Sequence, residues 1–297
     1  MRGHGFRRTS NIRGSLRGVI IFISILAVIV TAALSFRFLH PAAEADYLEI
    51  RFLDVGQADS ALIQTKNGTV MIDTGYRDSG AYLGNVLREC GNTISCLILT
   101  HPHGDHIGGA LYVLEHCEVD RVILPPIPGE DTRYAAILEE IEEQDIPTLT
   151  LSPGEGFSLG RARFTFLAPL REYDEENDNS YVIRLDYGEI SALFTGDAEA
   201  ESEREQVKLY GSAAGGYLDA DILKVGHHGS ASSTTDTYLA AVTPTYAVIS
   251  CGMGNDYGHP HKEVTNRLTK AGILILRTDL AGNVHFRTDG ETIELLP

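Results

Sequence analysis

Between Thr100 and Gly109 the chain reads Thr-His-Pro-His-Gly-Asp-His-Ile-Gly-Gly, placing His101, His103, Asp105 and His106 within six positions. A hydrophobic core cannot absorb such a density of polar groups unpaired. Neutral imidazoles beside a carboxylate are, however, good ligands for a divalent metal. The run follows Ser95-Cys96-Leu97-Ile98-Leu99, a short apolar segment of the kind buried on both faces of a sheet. His101 and His103 continue it two residues apart, so both side chains leave the same side of an extended chain. Gly104 permits a sharp turn that brings Asp105 and His106 back towards the same point. The fold must therefore end a buried strand at a metal site, with His101/His103 and Asp105/His106 as donor pairs for two ions.

Further strands end in ligand-type residues. Leu193-Phe194-Thr195-Gly196 runs into Asp197, and Ile222-Leu223-Lys224-Val225-Gly226 runs into His227 and His228. The strand from Tyr246 to Ser250 precedes Tyr257-Gly258-His259-Pro260-His261. Ligand sites of α/β folds collect at such C-terminal strand ends. Taken singly, Asp197 reads equally as a helix N-cap and His227 as a core histidine; four strand ends of one kind favour a shared site. His261 is read as solvated.

These segments resemble the metallo-β-lactamase fold from about Tyr47 to the C-terminus. Met71-Ile72-Asp73-Thr74-Gly75 matches the first motif of that superfamily, the histidine run its second, Asp197 its bridging aspartate, and His227/His228 its last ligand motif. Phe52 to Ser60, Asp178-Asn179-Ser180-Tyr181-Val182, Lys224 to Ser230 and Gly258-His259-Pro260 resemble, more narrowly, the C-terminal domain of ComEC-type DNA-uptake proteins. The implied fold class is α/β, an αββα sandwich of two mixed β-sheets flanked by helices.

The resemblance implies a ligand assignment. Many members of the superfamily place a third histidine between the run and the bridging aspartate; here that interval holds only His116, which follows a predicted helix (Ile107–Glu115) and reads as a surface residue. The first site would take His101, His103 and Asp197, with water or Asn179 completing it. Asp105, His106, Asp197 and one of His227/His228 would form the second, His227 being preferred. Asp73 is expected to orient the loop from behind. Fewer imidazoles at the first site make manganese as acceptable as zinc, because manganese takes oxygen ligands.

Two such cations suit hydrolysis, since a water they share loses its proton near neutral pH and attacks an electrophile that they polarise. Phosphodiesters fit this chemistry best. Asp105 would be catalytic as well as a ligand, while Lys224, Asn179, Ser180 and His259 would hold anionic oxygens or protonate a leaving group. Lys224 could equally pair with one of the many acids. The ComEC-like resemblance implies action on incoming DNA and competence partners. Other esters (phosphorylcholine or cell-wall phosphodiesters, lactones, thioesters) remain alternatives, as does a non-catalytic DNA- or partner-binding role.

The N-terminus bears on location. Arg2, Arg7, Arg8, Arg13 and Arg17 precede an apolar stretch, and no charge appears between Arg17 and Arg37. A helix over 18–36 would be about 28 Å long at 1.5 Å per residue, close to one bilayer core. A basic flank predicts residues 1–17 inside and the catalytic domain, 47–297, outside, joined by a spacer over 37–46. Cleavage near Ala43-Glu44-Ala45, as in a secreted protein, is the rival reading.

Once residues 1–43 and their six arginines are set aside, 18 basic and 41 acidic residues remain, a net charge of −23. That excludes a broadly basic nucleic-acid-binding surface. Cys90, Cys96, Cys117 and Cys251 form no CxxC pair, so a zinc–cysteine site is not expected; a Cys90–Cys96 disulfide is conceivable but not required. Predicted helices lie over Tyr134–Gln144 and Glu199–Tyr210, and Arg171–Asn179 reads as a solvated acidic loop.

Overall fold

The computed structural model describes residues 46–130, 132–211 and 216–297. The predicted helix over 18–36 lies outside these residues. Among the described residues no helix is long and apolar enough to cross a membrane.

Alternating side chains build two stacked sheets. In Cys96–Ile98, Cys96 and Ile98 face one core cluster while Leu97 faces another. Gly68–Ile72 repeats the pattern, with Val70 and Ile72 inward and Met71 outward. The first sheet has eight strands in the spatial order Ile293–Leu296, Val284–Thr288, Leu48–Phe52, Ala61–Thr65, Gly68–Ile72, Cys96–Ile98, Val122–Ile123 and Thr148–Leu149. It is antiparallel as far as Gly68–Ile72 and parallel beyond.

The second sheet has seven strands, in the order Leu274–Arg277, Tyr246–Ile249, Ile222–Lys224, Ile190–Phe194, Val182–Tyr187, Ala162–Ala168 and Gly156–Leu159. Its first three pairings are parallel and its last three antiparallel. Phe52, Ile63, Phe164, Phe166, Phe194 and Phe286 fill the space between the sheets. Helices Gly80–Glu89, Ala110–His116 and Thr132–Glu143 cover the outer face of the first sheet. Asp236–Val242 and Lys262–Lys270 cover that of the second. The sandwich expected from the resemblance is the one observed.

Two local readings change. The predicted helix over Ile107–Glu115 is divided into Gly104–Ile107 and Ala110–His116. A Cβ at Gly108 would lie 2.7 Å from Arg77 N, and one at Gly109 3.0 Å from Leu83 Cδ1, so this junction needs glycines to pack against the neighbouring chain. The acidic loop Arg171–Asn179 is not solvated throughout. Tyr173, Asn177, Asp178 and Asn179 are buried, and Asp178 Oδ1 accepts from Glu199 N at 2.8 Å and Ser202 N at 3.1 Å. The cap of helix Ala200–Tyr210 thus comes from a distant loop, satisfying amides that its own first turn leaves open.

Candidate metal centre

The parallel strands bring their C-terminal ends together where the histidine run begins. Asp105, His106, Asp197 and His228 each direct a donor atom into one cluster, with all four atoms within 4.8 Å of one another. His106 Nε2 lies 3.2 Å from Asp197 Oδ1, and both atoms are buried without a hydrogen-bond partner. Facing Asp197 Oδ2 are His228 Nε2 and His227 Nε2, each at 3.6 Å, and His101 Nε2 at 3.9 Å. Buried polar atoms are rarely left unpaired, so a carboxylate ringed by four imidazoles fits a divalent cation.

Behind the donors stand groups that fix them. Asp73 Oδ2 takes His106 Nδ1 at 2.7 Å and Thr100 Oγ1 at 2.7 Å, and Asp73 Oδ1 takes Thr100 N at 2.8 Å. This carboxylate orients the ring and leaves Nε2 to face the cluster. His228 Nδ1 donates to the Ser250 carbonyl at 3.0 Å, which likewise presents Nε2, 3.2 Å from Asp105 Oδ2. His227 turns Nδ1 to Glu199 Oε1 at 2.9 Å, and its side chain is 24% exposed against 2% for His228. Of the two, His228 closes the four-donor cluster, so the preference for His227 shifts to its neighbour. Both residues are left-handed, with φ of 47° and 53°. Successive left-handed residues break the alternation of an extended chain, so adjacent imidazoles reach the same carboxylate oxygen.

The first predicted site is looser. His101 Nε2 is 3.1 Å from His103 Nδ1, and His103 Nε2 is 2.9 Å from the exposed Glu176. Burial and the charge on His106 hold His101 well below the usual imidazole range, in the neutral form that ligates. His106 and His228 go the other way. Burial opposes their charge, but Asp197 and Asp73 lift His106 well above its usual range. Asp197 and Asp59 lift His228 to about 10.

The four remaining predicted residues divide by geometry. Lys224 is buried, with Nζ 2.8 Å from Asp59 Oδ2 and 2.8 Å from the Val225 carbonyl, so it faces away from the cleft. Asn179 accepts from Tyr173 N at 2.8 Å and donates to the carbonyls of Tyr173 and Glu175, which uses its amide to hold a loop. Ser180 Oγ accepts from Asp197 N at 3.2 Å, positioning that aspartate. These three therefore support the site from within the protein and do not face a substrate. His259 alone among the four lines the open cleft over the cluster, about 380 Å³ in volume, with Gln57, Tyr76, Arg133, Asn177 and Tyr257.

Neighbouring bonds settle the tautomer of His259. Gln57 Oε1 accepts from Gly252 N at 3.0 Å, so Gln57 Nε2 donates to His259 Nδ1 at 3.1 Å and the ring proton sits on Nε2. Asn255 holds the backbone on both sides of the ring, accepting from His259 N at 3.0 Å and donating to its carbonyl at 2.6 Å. Burial, then the charges of His228 and His261, push this imidazole down to about 4. It is a neutral donor. His261, expected to be solvated, accepts from Ala231 N at 2.8 Å. Asp59, Thr100 and Glu199 were given no role from sequence, although Asp59 lies in the run from Phe52 to Ser60 and Thr100 opens the histidine run.

A profile of the metallo-beta-lactamase superfamily matches residues 53–253. ComE operon protein 3 of Bacillus subtilis (strain 168) is 30% identical over 272 residues, covering 84% of this chain and 34% of that protein. Competence protein ComA of Neisseria gonorrhoeae is 34% identical over 237 residues, covering 78% and 31%. The chain thus spans about a third of the length of the curated relatives it matches. Among solved structures, the metallo-beta-lactamase fold protein YhfI from Bacillus subtilis superposes with a TM-score of 0.54 at 14% identity. That match covers 82% of this chain and 100% of that one, and it is a likeness of fold alone. The superfamily match takes in every donor of the cluster, from His101 to His228, and the chain belongs to the metallo-β-lactamase superfamily, with ComEC-like competence proteins as its relatives.

Proposed function

We propose that this chain is a dinuclear metallohydrolase that cleaves phosphodiesters, with DNA as its leading substrate. The observation that carries this reading is Asp197, whose two oxygens face His106 on one side and His101, His227 and His228 on the other. Such a carboxylate suits two cations, one held by His101, His103 and Asp197 and the other by Asp105, His106, Asp197 and His228. Zinc or manganese bound there would polarise a phosphoryl oxygen and acidify a water. His259 offers its Nε2 proton to an anionic oxygen of the substrate across the cleft. Asp73, Ser180 and the Ser250 carbonyl hold the donors in place, so little reorganisation accompanies reaction. Arg133 lines the same cleft and supplies positive charge for a phosphate.

DNA rests on the resemblance to ComEC-type DNA-uptake proteins and on a relative named Competence protein ComA. The arginine-flanked apolar stretch at 18–36 supports single-pass anchorage in the cell membrane, with the catalytic domain outside and competence or cell-surface partners nearby.

The test is release of p-nitrophenol from bis(p-nitrophenyl) phosphate by the full chain in detergent, with zinc or manganese, against Asp105→Ala. Turnover that requires both the metal and Asp105 is the expected result. A folded, metal-loaded chain without turnover would overturn the phosphodiester reading and favour carboxylic esters or a binding role.

A further inference from the structure

Asp59 is not a member of the four-donor cluster, yet it touches several of the segments that carry it. Its Oδ2 is 2.8 Å from Lys224 Nζ, and its Oδ1 lies 3.4 Å from His228 Nδ1, a charge contact beside the hydrogen bond which that nitrogen makes to the Ser250 carbonyl. Its backbone N–H donates to the Asp105 carbonyl at 3.1 Å, and its carbonyl accepts from Gly75 N at 2.8 Å. One residue thereby links the turn carrying Asp105 and His106, the loop following Asp73, and the ring of His228.

The strand register explains the lysine. Ile222 faces the space between the sheets and Leu223 faces the outer helices, so Lys224 returns to the inside. A charge buried there requires a partner, and Asp59 is that partner. Beside them lies a small cavity of about 10 Å³, lined in part by Asp59, Ser60, Asp73, Thr100, Lys224 and Ser250. Three polar atoms of these residues, Asp59 Oδ1, Ser60 Oγ and Ser250 Oγ, are buried and find no hydrogen-bond partner in the protein. The volume is that of a single water, which needs two to four polar partners. A metal ion is a poorer fit, because the Lys224 ammonium already stands in the wall. Asp73, which takes His106 Nδ1, borders the same cavity. The carboxylates behind two metal-facing imidazoles therefore converge on one point.

We propose that Asp59 is a positioning residue for the metal ligand His228, and that one buried water is held by Asp59, Ser60 and Ser250 behind the metal centre. The proposal rests on reading the cluster as a metal site. Carboxylates behind ligating histidines typically change metal affinity by about 10–100-fold.

The experiment measures zinc affinity by chelator competition, and Tm, for the full chain in detergent and for Asp59→Ala and Asp59→Ala/Lys224→Met. The single variant is expected to lose both zinc affinity and Tm, because it leaves the Lys224 charge unpaired. The double variant removes that charge, so Tm should recover while zinc affinity stays about 10–100-fold weaker. Recovery of zinc affinity together with Tm would overturn the positioning role, leaving Asp59 as a counter-charge only. Failure of the unsubstituted chain to bind zinc or manganese would overturn the metal reading itself. A crystal structure of the zinc-loaded chain should show one water within hydrogen-bond reach of Asp59 Oδ1, Ser60 Oγ and Ser250 Oγ; a dry cavity would overturn that half of the proposal.

Discussion

His227 and His228 show how far a donor's role depends on backbone conformation. Each has its Nε2 3.6 Å from Asp197 Oδ2, but only His228 also meets Asp105, at 3.2 Å. His228→Ala should therefore weaken zinc binding by more than about 100-fold, beyond the usual effect of losing a group behind a ligand. Asp73→Asn should fall within about 10–100-fold, and His227→Ala below about 10-fold. Chelator competition on the three variants checks the order, and a larger loss from His227→Ala would reverse the assignment.

The pH dependence of the metal-free chain follows from the same group. His228 is raised from 6.5 to about 10, so its contribution to stability is fully present below pH 6.5 and is lost as pH rises through about 10. Tm of the chelator-treated chain should fall across that window, and His228→Asn should flatten the curve. Zinc affinity should rise over the same window, because binding expels the proton. The residues that gather at the cluster were legible in sequence because their types and strand-end positions mark them. The choice between His227 and His228 was not, since two successive left-handed residues leave no trace in a period-two pattern. Lys224 illustrates the converse: its polarity suggested a role in the cleft, whereas its register buries it against Asp59.

At the scale of elements, the segments that build the site borrow their stability from distant ones. Glu203, on helix Ala200–Tyr210, is buried and accepts from the backbone N–H groups of Thr234 and Thr235. Those residues close the loop after His227 and His228 and lead into helix Asp236–Val242, whose N-cap is Thr235. Asp178 in turn caps the helix that carries Glu203. Asp178→Ala should cost about 1–3 kcal/mol in urea unfolding, the range for losing a charged cap with two amide bonds. A loss under about 0.5 kcal/mol would mean that solvent satisfies those amides instead. The helix itself was predicted to within one residue, because its polarity pattern is local. Its cap was not, because the capping residue lies more than twenty positions upstream in a loop whose acidity suggests solvation. Long-range partners of this kind are set by tertiary packing and have no periodic signature.

For the whole molecule, apolar runs mark buried strands alternating with helices, whereas the αββα layering itself was what the family resemblance implied. The edges were harder to see: Gly156–Leu159, Thr148–Leu149 and Ile293–Leu296 contain partly or fully exposed residues, and nothing in their composition marks them as strands. The net charge sets a sharper constraint. With 18 basic and 41 acidic residues beyond position 43, the surface as a whole repels a polyanion, while in the proposed reading Arg133 and cations held at the cluster would attract it locally. Repulsion from the whole surface acts over distances longer than the cleft and is screened first as salt rises, the Debye length being about 30 Å at 0.01 M and about 8 Å at 0.15 M. KM for a long single-stranded DNA should therefore fall between those two salt concentrations, whereas KM for bis(p-nitrophenyl) phosphate should stay nearly flat. An ordinary basic nucleic-acid surface behaves oppositely, losing affinity steeply as salt displaces it from the phosphates. If KM for DNA rises with salt while the small substrate is unaffected, a local basic track outweighs the global charge. Arg133→Ala would then be expected to reduce that slope by about 0.7, the contribution of one phosphate contact on a single strand.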